Sequence, residues 1–197
     1  LAAKRTRILH QLALSAMPLR FGLYVHPDPS AGQAGGEAAA AAVGSGEAVG
    51  VKLYLGASTG GVQIEPDSAG ARAVFAAAAR LNFTVAVHAE TQTMLDEAER
   101  TLPAAAPAAH SLLRTPQAAA DALPRAIAEA EATGARLYVV HVSTRAELAE
   151  VRAAKARGVD VWVEACPHHL LLSEADYGRW GNKVVVNPPL RSAEDVA

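Results

Sequence analysis

The sequence has a single cysteine, Cys166, among its 197 residues. One cysteine excludes a disulfide framework and a zinc site built on cysteines. Aromatic residues make up only 5% of the chain, and 46 residues are alanine, so much of its 51% hydrophobic content is helix-forming filler rather than bulky core. Runs of like charge are absent as well. With 18 basic and 20 acidic residues the net charge is −2, a balance that argues against a nucleic-acid or membrane-surface protein. No apolar run approaches the ~20 residues needed to span a bilayer. Residues 1–18 lack the basic-then-apolar layout of a secretion signal. A cytoplasmic location is therefore expected. The length suits one domain, large enough to bury about 70% of the surface its unfolded chain exposes.

Lysine is scarce too, with four against 14 arginines, so a lysine inside an apolar strand stands out. Five apolar runs rich in β-branched residues cover residues 21–26, 49–55, 84–88, 137–142 and 159–164. Near-continuous apolarity predicts strands buried on both faces. Helix-like stretches lie between them, at 69–80, 116–133 and 145–157. Thr144-Arg145-Ala146-Glu147 reads as a capping box opening the last of these, and Gly158 as its stop. Pro124 is predicted to kink or split the second. The glycine- and alanine-rich stretch 30–46 predicts a thin helix with flexible ends, and the stretch 102–109 a surface loop.

Strand and helix alternating in this way mean a parallel sheet with right-handed crossovers. The pattern leaves open whether the sheet is doubly wound or part of an eight-stranded barrel. In both, the active face lies at the carboxyl ends of the strands. The loops after the strands carry the polar residues, and those before them are bland.

Polar side chains stand where strands should be apolar. They are Lys52, His88 and His141, with His168 and His169 following the last strand. Burying an uncompensated ammonium is costly, so Lys52 must be paired, neutralised or modified. Glu90 is a candidate partner. The histidine pair 168–169 could equally cap the segment that follows. Yet His88 and His141 recur at two strand ends beside a strand lysine. Neutral imidazoles converging on one end of a sheet suit zinc. Cys166, before Pro167 in an apolar stretch, reads as an inert packed thiol. The stretch Gly56-Ala57-Ser58-Thr59-Gly60-Gly61 lacks the lysine and spacing of a phosphate loop.

The strings Val51-Lys52-Leu53-Tyr54-Leu55-Gly56, Val87-His88-Ala89-Glu90 and His141-Val142-Ser143-Thr144 resemble motifs of the amidohydrolase superfamily. Within it, Glu164-Ala165-Cys166-Pro167-His168-His169-Leu170 and Val186-Asn187-Pro188-Pro189-Leu190-Arg191 resemble the dihydroorotases. The resemblance implies an α/β fold, a (β/α)8 TIM barrel of the amidohydrolase type with a two-zinc centre at its strand ends. Residues 1–197 would be a partial barrel domain with about strands three to seven, lacking the first two strands and the eighth. Lys52 would take up CO₂ to form a carbamate bridging both zinc ions. His88 and His141 would ligate the second metal, and Asn187 would contact the substrate. No His-x-His motif occurs in the chain, and the family's acid–base Asp of the eighth strand has no counterpart, so no acid–base residue is assigned. The stretch by itself is expected to be inactive.

The implied activity is zinc-dependent interconversion of carbamoyl aspartate and dihydroorotate in pyrimidine biosynthesis. Allantoinases and hydantoinases share much of the pattern. The alternative from a different class is a non-catalytic barrel that scaffolds aspartate transcarbamoylase. The implied partners are a small-molecule substrate, further copies in a homo-oligomer, and aspartate transcarbamoylase; nucleic acid and membrane are not expected.

Overall fold

The computed structural model describes residues 6–8, 21–58, 63–102 and 106–197. Nearly all of 1–18, expected to hold the helix ahead of the first strand, lies outside the described residues. So do 59–62 of the glycine-rich stretch and 103–105 of the expected surface loop.

Strands β1 (Tyr24–Val25), β2 (Gly50–Tyr54), β3 (Thr84–His88), β4 (Arg136–Val139) and β5 (Val161–Val163) form one sheet in the order 1-2-3-4-5. Every neighbouring pair is parallel. Between them run α1 (Gly32–Gly44), α2 (Ala69–Leu81), α3 (Gln92–Thr101), α4 (Ala109–Leu113), α5 (Pro116–Thr133) and α6 (Arg145–Ala156). A doubly wound sheet reverses its strand order at a switch point; a β/α barrel does not. The strictly sequential order therefore decides the question the periodicity left open. This is barrel winding.

One face of the sheet makes the core. Val51, Leu53, Val85, Val87, Leu137 and Val139 are buried there against Val74 and Phe75 of α2 and Leu123 and Ile127 of α5. Burying each such side chain contributes about 1.5–3 kcal/mol. The opposite face differs from the expectation of strands buried on both sides. Only the central β3 is closed over along both faces, whereas β2, β4 and β5 alternate. Tyr24 is 46% exposed and Trp162 58% exposed. The alternation escaped the sequence because Tyr54, Ala86, Tyr138 and Trp162, which occupy that face, all count as apolar.

Helix α1 packs closely on α2, and glycine makes the approach possible. A Cβ on Gly36 would lie 2.1 Å from the carbonyl oxygen of Gly70. The capping box of α6 is formed as expected, with Thr144 Oγ1 accepting from the Glu147 amide and the Glu147 carboxylate accepting from the Thr144 amide. Gly158 follows that helix at φ +88, where only glycine is unstrained. Helix α5, in contrast, is not split at Pro124 but runs unbroken from Pro116 to Thr133. Pro124 is half-buried, while Ala119, Ala122, Leu123, Ala126 and Ile127 around it are fully packed. That packing outweighs the one lost backbone hydrogen bond.

Candidate metal centre

The carboxyl end of the sheet gathers the polar residues. In the strand register Lys52 faces Ala86, and Ala86 faces Tyr138. Because Ala86 is small, a cavity of about 460 Å³ opens between its larger neighbours, lined among others by Lys52, Tyr138, His141, Glu164 and Asn187. Its size lies within the range of small-molecule sites.

His88 is the last residue of β3 and is fully buried. The expectation that His88 and His141 occupy equivalent strand ends needs correction. Strand β4 stops at Val139, and His141 lies two residues beyond it in a turn at φ +42, a conformation unusual for a side chain other than glycine. The turn is held where the His141 amide donates to Glu164 Oε1 at 3.2 Å and the Val142 amide to the Glu164 carbonyl at 2.8 Å. It carries the imidazole sideways to His88. His88 Nδ1 and His141 Nε2 end 3.1 Å apart, with the rings edge to face.

The tautomer of His88 follows from its other nitrogen. Nε2 donates to Glu90 Oε2 at 2.7 Å, which leaves Nδ1 as a lone pair directed at His141. Burial is the largest influence on His88 and holds its pKa below 6.5 despite Glu90. His141 is pushed down to about 3, mainly by burial, with the neighbouring Lys52 acting in the same direction. Both rings are neutral at pH 7. Among the described residues, His141 Nδ1 is buried with no hydrogen-bond partner.

Glu90 is not the partner of Lys52. Its own burial favours the neutral acid, but the hydrogen bond from His88, with the Arg114 and Arg191 guanidinium groups nearby, holds its pKa below the usual carboxylate range. Arg114 pairs with Glu90 directly. Among the described residues Lys52 makes no ion pair, and burial lowers its pKa to about 7 against the opposing charge of Glu164. Its Nζ lies 5.1 Å from the centre of the Tyr54 ring. Glu164 is the carboxylate sequence reasoning passed over; its position at the end of β5, in line with His88, was the available signal. Its Oε2 accepts from the Tyr138 hydroxyl at 3.0 Å.

Asn187 faces the same cavity as Lys52 and His141. His110 Nε2 donates to its Oδ1 at 2.7 Å, and its Nδ2 donates to Ser58 Oγ at 3.4 Å. His168 and His169 do not line this cavity. They lie in the short helix α7 (Pro167–Leu171) beyond β5.

These residues suit a divalent cation. Two neutral imidazoles meet at the carboxyl end of the sheet, one with a buried unpaired nitrogen among the described residues and one with its tautomer set by a carboxylate, and a lysine about half charged at pH 7 shares the site.

The winding, with the site at the carboxyl ends of parallel strands, defines a β/α barrel represented by five of its strands. A solved D-hydantoinase has the same architecture, with a TM-score of 0.78 and 28% identity over 91% of this chain and 40% of its own. No family model matches the chain. Among curated proteins the chain is 43% identical over 122 residues to the allantoinase of Rubrobacter xylanophilus, covering 60% of this chain and 27% of that protein. It is 40% identical over 118 residues to the dihydroorotase of Lactobacillus helveticus, covering 57% and 27% respectively. The chain thus matches about a quarter of the length of these relatives. It is similar to part of a dihydroorotase-like protein of the amidohydrolase superfamily.

Proposed function

We propose that the chain belongs to a zinc-dependent cyclic amidohydrolase, cytoplasmic, that interconverts carbamoyl aspartate and dihydroorotate, and that it forms strands three to seven of that barrel. The observation that carries this reading is the meeting of His88 and His141, 3.1 Å apart, where His141 lines a cavity shared with Lys52 and Asn187. The dihydroorotase-like strings around Pro167-His168-His169 and Asn187-Pro188-Pro189 favour this substrate.

His88 and His141 would hold zinc through their lone-pair nitrogens, and Lys52 would hold it as a carbamate. Bound zinc supplies Lewis acidity toward a ring carbonyl and a hydroxide available at neutral pH. The chain's own residues prepare the site. Burial brings the Lys52 pKa down to about 7, so about half of the amine at pH 7 is in the neutral form that can add CO₂. Glu90 fixes the His88 tautomer, and Glu164 holds the turn that presents His141. Asn187, oriented by His110, offers its amide to the substrate ring or carboxylate.

A second reading, allantoin hydrolysis, is favoured by the 43% identity to an allantoinase. Ring opening of dihydroorotate, allantoin and hydantoin, assayed in parallel on the product of the whole reading frame, separates the two. Dihydroorotate is expected to be the preferred substrate. Asn187→Ala is expected to weaken its use by at least about tenfold, as for loss of a buried polar contact to substrate, with zinc content unchanged. Preference for allantoin would overturn the substrate, and loss of zinc in the Asn187 variant would overturn that residue's role.

A further inference from the structure

The loop after β5 carries three ligand-type side chains that the proposed amidohydrolase centre does not use. Cys166, His168 and His169 each place one ligating atom within 4.8 Å of the others. The two imidazole rings lie 4.3 Å apart, edge to face. His169 is more than nine-tenths buried, and its state can be read from its contacts. Its Nε2 lies 3.0 Å from the Pro188 carbonyl oxygen, which can only accept, so Nε2 carries the proton. Nδ1 is then a lone pair, buried and, among the described residues, without a hydrogen-bond partner. A buried acceptor left unmatched is costly, and a cation is what would satisfy it.

We propose that Cys166, His168 and His169 form a second metal site, distinct from the Lys52 cavity, for a thiophilic divalent cation of the zinc type. One sulfur and two imidazole nitrogens are the donor set that borderline-soft cations prefer, and hard cations such as magnesium are disfavoured. Three protein ligands leave a fourth position for water. Binding exchanges the thiol proton for the metal: the Cys166 S–H bond breaks, a sulfur–metal bond forms, and the proton leaves to solvent. Because the protonated nitrogen of His169 grips the Pro188 carbonyl, the bound metal braces the α7 loop against the turn that carries Asn187. The proposal does not depend on the substrate of the neighbouring centre.

Cobalt(II) titrated into the protein tests it, because Cys166 is the only thiol and a thiolate-to-cobalt charge-transfer band in the near ultraviolet can arise nowhere else. The band is expected to saturate with one bound equivalent, to vanish in Cys166→Ser, and to persist in the His88→Ala, His141→Ala double variant. His168 is only half-buried, so His168→Ala should leave the fold intact while weakening the cobalt affinity behind the band at least about tenfold, since even loss of an outer-shell partner costs that much. A folded wild-type protein with no such band would overturn the proposal. So would a band titrating identically in His168→Ala and His169→Gln, which would mean a lone thiolate binding metal adventitiously.

Discussion

Lys52 shows how one strand position carries the chemistry. Its pKa falls from 10.5 to about 7 because burial outweighs the attraction of Glu164. Competitive acylation should therefore give Lys52 a half-point near pH 7, distinct from the other lysines; reaction only above pH 9 would contradict the burial argument. The sign of the linkage follows. Between about 7 and 10.5 the unfolded chain binds the proton that folded Lys52 has lost, so this group makes stability rise with pH across that window. Below about 7 both states are charged and the cost of burying the ammonium is fully present. Glu90 belongs to the same scale. Glu90→Gln removes the carboxylate that sets the His88 tautomer, and should weaken zinc binding about 10–100-fold with little change in secondary structure. Isothermal titration with zinc measures it, and unchanged affinity would show that His88 needs no such partner. Lys52, His88 and His141 were legible in the sequence because each breaks an apolar run. Tyr138 was not, since its residue type does not contradict the strand it occupies, and Glu164 was passed over although it ends an apolar run as His88 does.

At the scale of elements, the helices were the most legible part. The capping box at Thr144 and Glu147 and the stop at Gly158 bound α6 where local chemistry places them. Pro124 shows where local chemistry loses to tertiary packing. The missing N–H deprives the Ala120 carbonyl of its partner, yet the apolar stripe from Ala118 to Ala130 keeps the helix whole. Pro124→Ala should consequently stabilise the protein by about 1–3 kcal/mol, read as a higher denaturant midpoint at unchanged slope. Destabilisation would mean that the ring's packing matters more than the lost bond. Strand β4 was less legible. Val140 and Val142 extend its apolar run, but the strand ends at Val139: the Val140 amide still donates to the Val87 carbonyl, and the turn at His141 then carries the chain away from β3. Neither the sign of φ at His141 nor the carboxylate that holds it is encoded in periodicity.

The whole molecule is a sheet with one packed face and one open face. The packed face holds the helices. The open face carries Lys52, Tyr54, Tyr138 and Trp162, and in a β/α barrel it is the face that lines the interior. Composition hid this arrangement, because tyrosine and tryptophan satisfy an apolar pattern whether they are covered or not. The alternating burial along β2 and β4 shows it directly. The site lies where that winding predicts, at the carboxyl ends of the strands, and the two metal-type histidines reach it from different backbone geometries. The central claim is that His88 and His141 hold zinc at this end of the sheet, beside Lys52. Anomalous diffraction at the zinc edge, from crystals of the zinc-loaded protein, measures it directly. The account predicts a peak about 2.0–2.1 Å from a nitrogen of His88 and of His141. Zinc-loaded crystals with no peak at either histidine would contradict it.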